Sequence, residues 1–121
     1  MKVENIKFKA KSFLDGAWVQ GDLVHKEDGA ICILRNGFNV SEVDPSTVCQ
    51  FTGLKDCEGN EIWEGDIISS PHFERVATVK WDDSLCGFKC SDVTGNINFS
   101  FTAIAHCSEW SIVGNEFDKK K

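Results

Sequence analysis

The chain has 121 residues, of which 41% are hydrophobic and 26% are charged, and it contains nine Phe and four Trp. This length and composition predict one domain or two very small ones with a real core, and they exclude a chain that is disordered over most of its length. The net charge is −6, to which residues 1–50 contribute −1 and residues 51–121 contribute −5. Because nucleic acids are bound by clustered Lys and Arg, nucleic acid is disfavoured as a partner.

The sequence contains no segment that predicts export or insertion into a membrane. No stretch approaches the roughly 20 consecutive apolar residues that span a bilayer. The first ten residues mix charged with apolar side chains, whereas a signal peptide has a continuous apolar core. We therefore expect a cytoplasmic protein without a membrane partner, whose six cysteines are free, buried or half-buried thiols.

Residues 1–46 predict a region of antiparallel β-hairpins. From Ile6 to Lys11, apolar and charged residues alternate with a period of two, which is typical of a strand with one face in water. Asp-Gly or Asn-Gly pairs predict turns between successive strands, at residues 15–16, 28–29 and 36–37. The predicted strands are residues 3–13, 18–25, 30–35 and 38–40. The run 43–50, which holds Pro45, predicts either one short helical turn or an extended connection.

The segment 47–68 has the densest run of turn signals and is predicted to join the N-terminal region to a second region. Gly53, Gly59 and Gly65 predict three bends at which the backbone has a positive φ. Apolar residues that require burial, Ile62 and Trp63 among them, lie between these bends. The segment therefore specifies turns around a buried interior.

Residues 62–118 predict a small β-barrel. The polar stretch 69–75, which contains Pro71, is expected to be a loop. The strands expected after it are residues 76–81, 85–91, 97–101, 103–107 and 110–113. Such short, evenly spaced strands curved by glycines are typical of a barrel that removes its own edges. No segment of ten or more residues has a helical period, so the predicted fold class is mostly β.

A cluster of acidic residues in the joining segment has two interpretations. Its members are Asp56, Glu58, Glu61, Glu64 and Asp66. Such a set could form a divalent-metal or general acid/base site, but it is more typical of turns whose carboxylates accept hydrogen bonds from backbone amides. We favour turns and caps, and accordingly predict no catalytic residue, no bound metal and no cofactor.

The histidines and cysteines form no motif with catalytic or metal-binding spacing. His25 and His72 are isolated in the sequence, and His106 stands beside Cys107, where neighbours on a strand point to opposite faces. The one conceivable zinc set adds Cys86 and Cys90 to that pair. Structural zinc sites have tighter, paired spacing, so we expect no zinc here.

Three aromatic residues are candidates for contact with a partner: Trp63, Trp81 and Phe73. Aromatic residues belong to the core more often than to a binding surface. A ring left exposed on a small barrel can nevertheless stack on a base or pack on a proline-rich segment of a partner. The acidic charge of the chain favours a protein partner over nucleic acid.

The joining segment also carries a family resemblance. The run Thr47-Val48-Cys49-Gln50-Phe51-Thr52-Gly53-Leu54-Lys55-Asp56, followed by Gly59, Glu61-Ile62 and Glu64-Gly65-Asp66-Ile67-Ile68, is similar to the signature of the YopX-like family of phage and prophage proteins. The resemblance continues at residues 6–10, 18–23 and 112–115, and is loose over 69–111. It implies a bacterial host and a C-terminal roll similar to the Src-homology-3 barrel, and it implies no known reaction. The signature residues are Thr47, Gln50, Thr52, Gly53, Leu54, Asp56, Gly59, Glu64, Gly65 and Asp66.

Three functions are compatible with these observations. The first, which we favour, is a non-enzymatic phage or prophage accessory protein that works by protein–protein contact with a host or phage protein or as a homo-oligomer. The second is a small-barrel module that binds nucleic acid. The third is an enzyme whose site uses the acidic residues of 56–66, or His106.

Overall fold

A computed structural model of the chain describes residues 2–35, 39–71, 73–92, 98–100 and 109–118, without the side chains of residues 73–75, 99 and 100. The described residues form β-strands joined by turns and three single turns of 3-10 helix. None of these described helical turns is long and apolar enough to cross a membrane. The chain divides into two compact units, Met1–Phe51 (unit 1) and Thr52–Lys121 (unit 2). This division falls inside the predicted joining segment 47–68.

Unit 1 is built from antiparallel strands that follow the predicted hairpins. They are β1 (Phe8–Lys11), β2 (Trp18–His25), β3 (Ile31–Leu34), β4 (Val40–Glu42) and the start of β5 (Cys49–Lys55). Their order in the sheet is β4-β3-β2-β1-β5, and β6 (Glu61–Trp63) follows β5 in the same sheet. Residues 3–5 were expected to be extended, but they form a 3-10 turn. Pro45–Thr47 form the short helical turn that was one of two alternatives.

One face of this sheet forms the core of unit 1. Ala10, Ile33 and Val43 are fully buried on it. The partly buried residues packed against them are Phe8, Val19, Leu23, Ile31 and Val48. These residues take alternate positions on β1, β2 and β3, so the period of two in the sequence places them on one side of the sheet.

Unit 2 contains β6, which belongs to the first sheet, and a second antiparallel sheet. The strands of this second sheet are β7 (Asp66–Ser70), β8 (Phe73–Asp82), β9 (Gly87–Asp92), β10 (Asn98–Ser100) and β11 (Ser111–Asn115). The order in this sheet is β10-β9-β8-β7-β11. The buried cluster of the unit consists of Ile62, Ile68, Ala77, Val79, Cys90 and Trp110, with Leu54, Phe88 and Ile112 packed against it.

The prediction of a mostly β protein is confirmed, and two finer predictions about unit 2 are corrected. The described strands do not close into a barrel, because β10 and β11 lie at opposite edges of the sheet. The predicted loop 69–75 is largely strand, since β7 runs to Ser70 and pairs there with Phe73 at the start of β8. The predicted strand 103–107 and the predicted turn 36–37 lie outside the described residues.

Candidate functional site

The first residues of the signature fasten one turn to the sheet of unit 1. The Thr47 hydroxyl accepts a hydrogen bond from the Lys11 backbone N–H at 2.9 Å and donates one to the Asp44 carbonyl at 2.7 Å. Gln50 lies in β5 opposite Phe8 of β1. Thr47 is buried. Because these polar groups serve the backbone, this part of the signature has a structural role.

Thr52, Gly53 and Leu54 shape the start of unit 2. The Thr52 hydroxyl donates to the Ile62 carbonyl at 2.6 Å and accepts from the Leu54 N–H at 3.3 Å. Gly53 has a φ of 90°, and Gly59 and Gly65 have φ values of 88° and 89°, so the three predicted bends with positive φ are confirmed. The Leu54 side chain packs against the buried cluster of unit 2.

Asp56 is the centre of a hydrogen-bonded turn that reaches a distant strand. Its Oδ1 accepts from the backbone N–H groups of Glu58 at 2.9 Å and Asn60 at 2.8 Å. Its Oδ2 accepts from the Asn60 side-chain amide at 3.3 Å and from the Ile112 N–H of β11 at 3.2 Å. The Cys57 N–H donates to the Trp110 carbonyl at 2.9 Å beside it. The turn thus occupies backbone groups at the start of β11.

The net electrostatic effect of this arrangement is to favour the charged form of Asp56. Burial on its own raises the pKa of the carboxyl group, but the hydrogen bonds from Asn60, Ile112 and Glu58 outweigh it and hold the pKa below its ordinary value. The carboxylate oxygens already accept hydrogen bonds from these donors, so the group is poorly suited to transfer a proton to a substrate.

Asp66 plays a similar part at the start of β7. Its Oδ2 accepts from the Trp63 N–H at 2.7 Å and its Oδ1 accepts from the Asn115 side-chain amide at 3.0 Å. The Oδ1 of Asn115 in turn accepts from the Phe117 N–H at 2.8 Å. Asp66 is only 3% exposed, so these donors replace water around a buried carboxyl group.

Gly65 brings the backbone of this turn close to the C-terminal 3-10 turn, Glu116–Asp118. Its N–H donates to the Val79 carbonyl at 2.7 Å, and its carbonyl accepts from the Glu116 N–H at 2.9 Å. A Cβ atom placed on Gly65 would lie 3.1 Å from Cε2 of Phe117. Both the positive φ and the lack of room explain a glycine here.

The five acidic residues do not come together as a site. Asp56 and Asp66 are held by different partners, as described above. Glu58 is exposed, and Glu61 and Glu64 are half-buried. Across residues 2–35, 39–71, 73–92, 98–100 and 109–118, no three His, Cys, Asp or Glu side chains are grouped so that they could hold a metal ion. The geometry therefore gives no support to an acidic catalytic or metal site at 56–66.

The thiols of the described cysteines and the imidazole of His25 belong to no group that could hold a metal ion. Cys32, Cys49 and Cys90 are buried free cysteines, and Cys57 and Cys86 are exposed free cysteines. Burial raises the pKa of the Cys90 thiol to about 12, so it stays protonated and behaves as a small apolar side chain. His25 is exposed at the end of β2. The predicted candidates His72, His106 and Cys107 lie outside the described residues.

The aromatic candidates have different surroundings. Trp63 is only 5% exposed, so it offers little surface to a partner. The sequence makes candidates of Trp63 and Trp81 alike, because local sequence does not reveal which ring faces the core. The side chain of Phe73 lies outside the described ones. Trp81 is 43% exposed and is the aromatic candidate that the structure places at the surface.

Trp81 stands at the end of the hairpin formed by β8 and β9. It lies opposite Phe88 in the register, on the same side of the strands as the buried pair Val79 and Cys90. The apolar side of the hairpin thus continues past the core into water. Leu85, in the turn, is 64% exposed. We call residues 81–88 the hairpin tip.

Hydrogen bonds and ring contacts hold the hairpin tip in shape. The Trp81 Nε1–H donates to Oδ1 of Asp83 at 2.7 Å. The Trp81 and Phe88 rings meet edge to face, with centroids 5.2 Å apart and planes at 83°. This geometry is favourable for an aromatic pair. Asp83 and Phe88 therefore hold the exposed ring in one orientation.

Asp82 supports the turn beneath the exposed ring. Its Oδ1 accepts from the N–H of Ser84 at 2.8 Å and from the hydroxyl of Ser84 at 2.6 Å, while Nζ of Lys89 lies 3.0 Å from its Oδ2. The Ser84 hydroxyl, the Lys89 ammonium and the Ser84 N–H lower the pKa of Asp82 to about 2. Asp82 is consequently charged at neutral pH.

A second exposed apolar turn lies in unit 1 and was not predicted from the sequence. Phe13 and Leu14 are 59% and 96% exposed at the turn between β1 and β2. The turn is closed by hydrogen bonds, among them Ser12 N–H to the Ala17 carbonyl at 2.9 Å and Ala17 N–H to Oδ1 of Asp15 at 3.0 Å. The available signal was the position of two large apolar residues directly before the turn pair Asp15-Gly16.

A comparison with protein families covers most of the chain. A model of the family described as YopX protein matches residues 7–120. The chain belongs to the YopX family. The match includes the signature turns of 47–68 and the hairpin tip alike, and it confirms the resemblance seen in the sequence. A search of curated proteins finds no match to the chain.

Proposed function

We propose that this YopX family member is a non-enzymatic accessory protein of a phage or prophage, and that it works in the bacterial cytoplasm by contact with another protein. The partner is a host protein, a phage protein or a second copy of the chain. The supporting observation is that one hairpin in each unit ends in large apolar side chains that face water. The Src-homology-3-like form of unit 2 stays a prediction from the family resemblance, and the proposal does not depend on it.

A partner that covers the exposed apolar residues at these two turns would remove their surface from water, which is favourable in free energy. Leu14 is 96% exposed and Leu85 is 64% exposed, and the hairpin end that holds each of them also carries an exposed aromatic ring, Phe13 or Trp81. Single exposed apolar residues are common, but adjoining ones at a protruding turn mark an interaction surface more often. Aromatic side chains are also enriched among residues that carry the energy of protein contacts.

The signature supports the non-enzymatic part of the proposal. Its carboxylates at Asp56 and Asp66 accept hydrogen bonds from backbone and amide groups, and they lie in separate turns. A hydrolytic or metal-dependent site would need such groups to converge on one space. The signature residues instead stabilise the fold that carries the hairpins.

Affinity capture from infected or lysogenic bacterial cells tests the proposal. We expect the parent protein to retain a defined partner or to form a defined oligomer in light scattering, and we expect Leu14→Ser or Leu85→Ser to weaken that association. Val3→Ser is the matched control, since Val3 is 83% exposed but lies outside both turns. A parent protein that is monomeric and retains no partner would contradict the proposal.

A further inference from the structure

We propose that the hairpin tip receives a cationic side chain, Arg or Lys, from a segment of the partner protein, held over the face of Trp81 and beside the Asp83 carboxylate. This inference rests on the proposed function, because it names the chemistry of the partner that would contact this surface.

The orientation of the indole determines what Trp81 can offer. Its Nε1–H is engaged by Asp83 at 2.7 Å, and its ring makes an edge-to-face contact with Phe88. The N–H donor is thus used inside the hairpin. Because that donor is already used, the side chain, which is 43% exposed to water, offers a partner its aromatic ring.

A π face beside a carboxylate is a favourable place for a cation. The face of an indole carries the negative part of the ring quadrupole, and Trp is the strongest of the aromatic residues in cation–π contacts. Asp83 is exposed, and a carboxylate can accept further hydrogen bonds in addition to the one from Trp81. A guanidinium is planar, so it can stack on the ring while its N–H groups reach the carboxylate.

Two cations of the hairpin have described side chains, Lys80 and Lys89, and neither is placed so that it occupies this position. Lys89 is paired with Asp82 at 3.0 Å. Lys80 lies opposite Lys89 in the register, so both alternate with Trp81 and Phe88 and point to the other side of the strands.

The charge of the surrounding chain is complementary to a basic segment. Residues 51–121 carry twelve Asp or Glu against seven Lys or Arg. Such a balance attracts cationic partners and repels acidic ones. Leu85, exposed in the same turn, offers an apolar surface to the aliphatic stem of an Arg or Lys side chain.

Titration with a short peptide observed by NMR tests the inference on the folded chain. The probe is acetyl-Gly-Gly-Arg-Gly-Gly-amide at millimolar concentration, and the control peptide carries citrulline, the neutral isostere, in place of arginine. We expect a saturable shift of the Trp81 indole Nε1–H signal with the arginine peptide, and a shift at least threefold smaller at equal concentration with the citrulline peptide. The Trp81 signal is identified by its loss in Trp81→Phe.

Two variants make the result specific. Asp83→Asn keeps the shape of the side chain and should weaken binding of the arginine peptide at least threefold, while Glu58→Gln, an exposed carboxylate in another turn, should leave it unchanged. Unchanged indole signals of the buried Trp63 and Trp110 show that each variant is folded. Equal shifts with both peptides, no shift with either, or full binding by Asp83→Asn would overturn the inference.

The outcome separates this inference from the proposed function. If the parent captures a partner that Leu85→Ser releases, but the arginine peptide does not bind, the protein-contact function stands and the cationic partner is wrong. If the peptide binds with the predicted specificity while the chain captures no partner and stays monomeric, the site is real and the proposed function fails.

Discussion

Two pairs of aspartates in unit 2 have opposite surroundings. Asp56 and Asp66 are buried, and each accepts hydrogen bonds that tie its turn to a segment far along the sequence, at Ile112 and Asn115. Asp82 and Asp83 lie in the turn of the β8–β9 hairpin and bond only to near neighbours there, Ser84, Lys89 and Trp81, among the described residues. The first pair builds the fold, whereas the second pair arranges an exposed ring. Similar acidic residues thus serve stability in one place and presentation of a surface in another.

The largest expected effect is on stability at Asp66. Asp66→Ala removes the acceptor for the Trp63 N–H and the Asn115 amide, and buried donors left without an acceptor are costly. We expect the free energy of unfolding to fall by about 3 kcal/mol, measured by urea denaturation. Asp83→Ala is the comparison, for which we expect a loss of less than about 1 kcal/mol. Equal losses of unfolding free energy in the two variants would contradict the distinction between the buried pair and the exposed pair of aspartates.

A second effect concerns the turn that positions Asp66. Gly65→Ala forces a side chain into a left-handed conformation and places its Cβ 3.1 Å from the Phe117 ring. We expect a loss of about 2 kcal/mol in the free energy of unfolding. Gly59→Ala has a similar φ but no atom within 4 Å of the added Cβ, so about 1 kcal/mol is expected there. Thermal or urea unfolding of both variants measures the difference, and a Gly59→Ala variant that is the less stable of the two would contradict the packing at Gly65.

The pH dependence of stability tests the role of Asp56. Its pKa is lowered in the folded protein, so its contribution is present above the unfolded pKa, near 4, and is lost as the pH falls through the folded value. We expect Asp56→Asn to be less stable than the parent at pH 7, and the gap between the two to narrow as the pH is lowered towards 3. Urea unfolding at both pH values measures it. A gap that stays constant or widens in acid would show that the charge of Asp56 is not what stabilises the turn.

The smallest expected effect is at the hairpin tip. Cys86 has a φ of 51°, a left-handed conformation that is strained for a residue with a Cβ. Cys86→Gly relieves that strain, although glycine also gains entropy in the unfolded chain, so we expect a gain of up to about 1 kcal/mol. A thermal melt under reducing conditions measures it. Destabilisation by this change would mean that the Cys86 side chain has contacts that matter for the tip.

Sequence patterns predicted the local features of the fold well. The strand Trp18–His25 follows from its position between two Asp-Gly turns, and the three bends of the signature follow from glycines that adopt positive φ. The capping role favoured for the acidic residues agrees with the bonds of Asp56 to Glu58 and Asn60. Such features depend on residues within a few positions of one another.

Features that depend on distant pairing were beyond the sequence. Pro71 and its polar neighbours predicted a loop, yet the pairing of β7 with β8 extends both strands to the turn. Trp63 and Trp81 could not be separated because the burial of each ring depends on tertiary packing, which the local sequence does not show. The bonds from Asp56 to Ile112 and from Asp66 to Asn115 span 56 and 49 residues, and no local pattern reveals them.

The most direct test of the division of roles compares partner capture by two variants. Asp56→Asn should unfold at a lower urea concentration than the parent but, where folded, retain the partner captured from infected or lysogenic cells. Leu85→Ser should keep the unfolding midpoint of the parent and lose the partner. The contrary result is that Leu85→Ser retains the partner as well as the parent does, while folded Asp56→Asn loses it. The buried aspartates and not the hairpin tip would then carry the interaction, which contradicts the proposed division of roles.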